Sequence, residues 1–227
     1  MPLRAVLFDV DFTIAKPGPD LGPDGYRRLG ERFGLELDPE RYGEARARAV
    51  GTLERHPELD HDEEVWVLFT EQIIRGMGGD SERAYECAVV MTGAWEHAHN
   101  FQIFEDVLPV LAGLRARGLK LGLVSNTGRD LAAFVAHHGL DVDAFISSGV
   151  HGKTKPHPTI FLAVLELLGV DPEDAVMIGD SLEDDVEGAK AAGIHALLLD
   201  RENRYPEIDD KLTDLRALPG ALGLAAA

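Results

Sequence analysis

The sequence predicts an α/β protein built on a doubly wound parallel sheet of about five strands, with an all-helical segment inserted behind the first strand. Three observations carry that expectation. Short apolar runs that end on a polar residue recur along the chain, which is how strands buried on both faces of a parallel sheet read. Helical patterns closed by glycine alternate with them, as strand-helix-strand crossovers require. From Ala15 to Asn100 the alternation stops and only helical periodicity remains.

The first strand is Ala5 to Asp9, Ala-Val-Leu-Phe-Asp. Leu119 to Ser125, Ala175 to Asp180 and Ala196 to Asp200 repeat its pattern, and Ala144 to Ser147 is a weaker fifth strand. Between them Val107 to Arg117, Arg129 to His138, Thr159 to Leu168 and Leu182 to Ala192 read as helices, with Gly118, Gly139, Gly169 and Gly193 as stops. The inserted segment is expected to hold helices around Asp24 to Phe33, Pro39 to Glu54, Asp62 to Arg75 and Ser81 to His97, and no strand. Lys16-Pro17-Gly18-Pro19 and Asn100 to Phe104 are its hinges, so the expected domains are a core of residues 1–15 and 100–227 and a helical domain of residues 16–99. A short terminal helix is expected within Leu212 to Ala227.

Charge narrows the function. A formal net charge of −18 opposes binding to nucleic acid or to anionic membrane surfaces, since both require a basic face. No apolar run reaches the ~18 residues of a membrane span. The lone cysteine, Cys87, and an N-terminus that runs directly into a strand lead us to expect a cytoplasmic protein. A phosphorylated substrate is repelled at long range by such a chain, so a phosphate site must supply local positive charge from a metal, a lysine or backbone amides.

In sheets of this type ligands bind outside the carboxyl ends of the strands, so the polar strand ends are the candidate site. Asp9-Val10-Asp11-Phe12-Thr13 places two carboxylates two residues apart past a buried strand, an arrangement that invites a hard divalent cation. Taken alone, it is also how helix caps and turns read. Gly179-Asp180-Ser181-Leu182-Glu183-Asp184-Asp185 brings further carboxylates to a second strand end. Ser125-Asn126-Thr127 offers a hydroxyl and a run of amides ahead of a helix, and Lys153-Thr154-Lys155-Pro156-His157-Pro158 is a proline-stiffened loop carrying a lysine.

In this order the four segments resemble the four motifs of the haloacid dehalogenase superfamily, over Leu3 to about Asp200. The resemblance implies a Rossmann-like core with a helical cap inserted after the first motif. It implies Asp9 as nucleophile forming an aspartyl-phosphate, Asp11 as the acid and base, and Lys155 as the group that balances charge. Thr13, Ser125, Asn126 and Lys155 would bind the phosphate. Mg²⁺ would be held by Asp9, the main-chain carbonyl of Asp11 and Asp180, with Asp185 supporting the metal or orienting the lysine and Asp184 a weaker candidate than Asp185. The implied activity is hydrolysis of a small phosphate monoester. A phosphomutase or a dehalogenase acting on a halogenated substrate are alternatives on the same fold, and a non-catalytic binding protein a further one. Phe12 departs from the family pattern, in which that position is commonly glycine.

Other residues have plainer readings. His97 and His99, two apart on a helix, would not share a face for zinc. Gly76-Met77-Gly78-Gly79 reads as a helix-ending turn, and Cys87, Trp66 and Trp95 as packing of the helical domain. Arg46, Arg48, Arg55 and Trp66 are the candidates for selecting the leaving group.

Overall fold

Ala5-Val6-Leu7-Phe8 carries no polar side chain and is wholly buried, which only a sheet covered on both faces allows. The computed structural model describes residues 3–53, 56–79 and 82–224. Among them the strands are β1 (Ala5–Phe8), β2 (Ala15–Pro17), β3 (Phe101–Ile103), β4 (Lys120–Ser125), β5 (Ala144–Ser147), β6 (Ala175–Gly179) and β7 (His195–Leu198). Two compact units result, Met1–Lys16 with Ile103–Ala227, and Pro17–Gln102.

In the first unit five strands form a parallel sheet in the order β5-β4-β1-β6-β7. The chain builds outward from β1 to β4 and β5, then returns to add β6 and β7 on the other side. The switch point therefore lies at β1, whose register pairs Phe8 with Leu123 of β4 and Ile178 of β6. Helix Pro158–Leu168 covers one face with Ile160, Phe161, Val164 and Leu168, packed on Leu7, Val124 and Met177. Each such buried side chain contributes about 1.5–3 kcal/mol. A Cβ on Gly122 would stand 2.8 Å from Leu7 Cδ2, so only glycine lets this layer close on β4. Gly139 and Gly169 end their helices in the left-handed conformation, with φ of 63° and 62°, as the expected stops.

Three expected helices of this unit differ in detail. The one placed at Arg129 starts at Leu131, because Asp130 Oδ1 accepts from the amides of Ala132 at 2.8 Å and Ala133 at 3.1 Å and so leaves Arg129 in the preceding loop. The one placed at Leu182–Ala192 is a π-helical turn, Leu182–Glu187, running into helix Gly188–Ala191. Its width comes from the Ser181 carbonyl, which accepts from both Asp185 and Val186 amides, at 3.1 and 3.2 Å. The expected terminal helix is a 3₁₀ turn, Leu215–Ala217, followed by Leu218–Ala221.

The second unit holds helices Pro23–Arg32, Tyr42–Gly51, Glu63–Gly76 and Arg83–Trp95. They bury Tyr26, Ile73, Ile74, Met77, Cys87, Ala88 and Met91. Asp62 caps its helix by accepting from the Glu64 amide at 2.9 Å. The segment expected as helix from Pro39 opens with a 3₁₀ turn, Pro39–Arg41. Glu54, Arg55 and Ser81 lie outside the described residues. Contrary to expectation, the chain crossings are strands: β2 and β3 form a two-stranded ribbon. No helix among the described residues is long and apolar enough to cross a membrane.

Candidate active site

Because β1 is central, its end meets both neighbours. The Asp9 amide still donates to Ile178 O at 2.9 Å, which keeps Asp9 level with the end of β6 and brings Asp180 alongside. The widened turn after Ser181 returns Asp185 to the same spot, with Asp185 Oδ2 accepting from the Ser181 amide at 3.0 Å. Lys155 enters from the loop ahead of helix Pro158–Leu168, its Nζ 2.6 Å from Asp9 Oδ1 and 2.6 Å from Asp185 Oδ1. Oxygens of Asp9, Asp180 and Asp185 lie within 4.8 Å of one another, and all three residues are buried.

Asn126 fixes the lysine. Its Oδ1 accepts from the Lys155 amide at 2.7 Å and its Nδ2 donates to the Lys155 carbonyl at 3.0 Å, gripping the backbone on both sides. Arg204 braces the other flank, where Nη2 donates at 2.5 Å to Asp180 Oδ2 and to the Asp180 carbonyl. The loop carrying Arg204 is organised by buried Asp200, which accepts from the Arg204 and Tyr205 amides at 2.8 and 2.9 Å and from Lys211 Nζ at 2.8 Å.

Three carboxylates crowd one ammonium here, out of water. Burial drives the Asp9 carboxyl well above its ordinary value; Lys155 opposes the rise, and Asp185 and Asp180 add to it. Burial and the Asp185 charge push Asp180 up to about 7 against Arg204 and Lys155. Burial works against the Lys155 ammonium too, but Asp185 and Asp9 outweigh it and hold the amine above the usual lysine range. Excess negative charge on hard oxygen donors is relieved by a divalent cation, which the residues present fit. A buried carboxylate beside a fixed ammonium can also attack an electrophilic centre.

A family model described as haloacid dehalogenase-like hydrolase matches residues 3–193. This chain belongs to the haloacid dehalogenase-like hydrolases. The hydrolase is 30% identical to a glyceraldehyde 3-phosphate phosphatase of Methanopyrus kandleri, over 93% of this chain and 90% of that one. It is similar to the crystal structure of a HAD phosphatase from Thermococcus onnurineus, with a TM-score of 0.66, 32% identity and coverage of 97% and 98%. The magnesium-bound structure of YfnB from Bacillus subtilis shares the fold at a TM-score of 0.72 and 19% identity, covering 99% and 100%.

The fold of this hydrolase brings Asp9, Lys155, Asp180 and Asp185 together and treats other candidates differently. Ser125 is buried at the end of β4. The Asn126 side-chain amide engages the Lys155 backbone. Thr13 is fully buried, and its hydroxyl is without a hydrogen-bond partner among the described residues. The Asp11 side chain is outside the acidic cluster and pairs with Arg129, at 3.0 and 3.1 Å. Phe12 adopts φ 66°, the left-handed conformation that favours the glycine common at this position. His97 and His99 lie past the helix end, and their rings stack at 5.4 Å, so helical spacing is not what governs them. Arg129 and Arg204 are the residues sequence reasoning missed. The available signal was position, since both follow the carboxyl ends of strands.

Proposed function

We propose that this hydrolase is a Mg²⁺-dependent phosphatase that removes the phosphoryl group from a small-molecule monoester through an aspartyl-phosphate on Asp9. The observation that carries it is the Lys155 ammonium 2.6 Å from Asp9 Oδ1, with the Asp180 and Asp185 oxygens within 4.8 Å. The phosphatase named in Methanopyrus kandleri, similar over nine-tenths of its length, supports the reaction class.

Asp9 attacks phosphorus, and the leaving alcohol takes a proton from Asp11. Water then attacks the aspartyl-phosphate, returns its proton to Asp11 and regenerates the Asp9 carboxylate. Lys155 balances the charge shared between Asp9 and the transferring oxygens, and the Ser125 hydroxyl donates to one of them. Asp9, the Asp11 carbonyl, Asp180 and Asp185 would hold the magnesium ion, which supplies charge neutralisation at the phosphoryl oxygens. The helical unit Pro17–Gln102 serves as the cap that selects the leaving group. Buried, unpaired Cys87 fits a reducing compartment and hence a cytoplasmic enzyme.

The test is phosphate release from 4-nitrophenyl phosphate and a panel of metabolite phosphates, glyceraldehyde 3-phosphate among them, with and without Mg²⁺. Metal-dependent turnover lost in Asp9→Asn is the expected result. Turnover that survives Asp9→Asn, or none on any ester while a sugar-phosphate mutase or dehalogenase assay responds, overturns the reading.

A further inference from the structure

Arg129 is among the largest fully buried side chains of the protein, and a guanidinium in that setting needs a counter-charge and a built seat. The structure supplies both. The loop is turned by Thr127, whose Oγ1 accepts from the Arg129 amide at 3.1 Å. The guanidinium carbon lies 5.2 Å from the centre of the Phe134 ring. Its two terminal nitrogens donate one to each oxygen of Asp11, at 3.0 and 3.1 Å, in the fork geometry that an arginine offers and a lysine cannot. The two partners are unequally exposed: the Arg129 side chain is 1% accessible and that of Asp11 22%. The arginine is thus the fixed half of the pair, and Asp11 is the half that meets solvent.

The two parallel contacts fix both oxygens of the Asp11 carboxyl in direction, and each retains a second lone pair. We propose that Arg129 is a positioning residue that orients the Asp11 carboxyl, the proton acceptor of the mechanism above, for hydrolysis of the aspartyl-phosphate. The inference rests on the function proposed above and deepens it. In that step the water oxygen bonds to phosphorus while its proton passes to Asp11. The bond from phosphorus to the Asp9 oxygen breaks, its electron pair returns to the Asp9 carboxylate, and inorganic phosphate leaves. With a leaving group that needs no proton, only this second step draws on the carboxyl that Arg129 orients.

Rapid-mixing kinetics with 4-nitrophenyl phosphate and Mg²⁺ separate the two halves, because a nitrophenolate leaves without needing a proton. Arg129→Lys keeps the buried charge and removes the fork. We expect it to release the first equivalent of nitrophenolate at the native rate and then turn over at least about tenfold more slowly, with KM falling in step, as loss of one general-base contribution implies. Asp11→Asn should show the same burst. If Arg129→Lys does not fold, Phe134→Leu, which removes the ring beside the guanidinium, carries the test with the same pattern expected. Equal slowing of both phases in the arginine-site variant, or of neither, overturns the role of Arg129 while a burst in Asp11→Asn leaves the function standing. No burst in Asp11→Asn sinks the assignment of Asp11 as base and this inference with it.

Discussion

A Cβ on Gly179 would stand 2.2 Å from the carboxyl carbon of Asp185. The missing side chain is what lets the π-helical turn fold its carboxylate back against the end of β6 and reach Lys155. Gly179→Ala should displace Asp185, slacken the Lys155 bridge and lower kcat by at least about tenfold, a loss of the size that misplacing a catalytic group brings. Circular dichroism should show the fold retained. An alanine variant with native kcat would mean that Asp185 is not needed where it stands.

Magnesium should stabilise the folded chain through the acidic cluster, independently of turnover. At a concentration near 100 times its Kd, linkage adds ~2.7 kcal/mol, which for a domain of this size raises Tm by about 5–10 °C. Asp180→Asn removes a donor from the cluster and should erase most of that rise. Differential scanning calorimetry with and without the ion decides it, and an equal rise in both proteins rejects the site.

Asp106 and Arg201 form a buried two-point ion pair, at 2.8 and 3.0 Å, and Asp106 also accepts from the Leu215 amide at 2.8 Å. Burial lifts the Asp106 carboxyl, but the Arg201 and Leu215 hydrogen bonds outweigh it and hold the group below its ordinary value. A depressed carboxyl contributes stability that is fully present above the unfolded value, ~3.9, and is lost as pH falls through the folded one. Asp106→Asn should therefore cost about 3–5 kcal/mol at neutral pH, and the gap between variant and native chain should narrow below about pH 4. Urea unfolding of both proteins across that range measures it.

Cys87 is almost wholly inaccessible, and burial pushes its thiol up to about 11, with Arg32 opposing weakly. At pH 8 the native chain should resist thiol-specific disulfide reagents, and in denaturant it should titrate as one thiol per chain. Rapid labelling of the native protein would contradict this packing.

Much of the site was legible locally. A carboxylate or hydroxyl that closes a wholly apolar run has only the carboxyl edge of a sheet to occupy, and so Asp9, Ser125 and Asp180 could be read as strand ends. Lys155 was legible through the prolines around it. Arg129 was not, because nothing in Ser-Asn-Thr-Gly-Arg distinguishes a buried guanidinium from a solvated one, and its partner Asp11 lies 118 residues away. Arg204 was missed for the same reason, its partner Asp180 being 24 residues distant in a loop without periodicity. The strands at the chain crossings were too short for a period-two pattern to register.

The sequence by itself determined the elements: which runs are strands, where glycine stops the helices, and which residues bear the charge for chemistry. Tertiary structure alone decided their partners. By seating β1 between β4 and β6 it faced Asp9 with Asp180, Asp185 and Lys155, and it gave Asp11 to Arg129 and Asn126 to the Lys155 backbone. The reason is physical. Burial and periodicity act over neighbouring residues and leave a mark in the local pattern, whereas an ion pair or a hydrogen bond depends on distances that only strand order and crossover direction set.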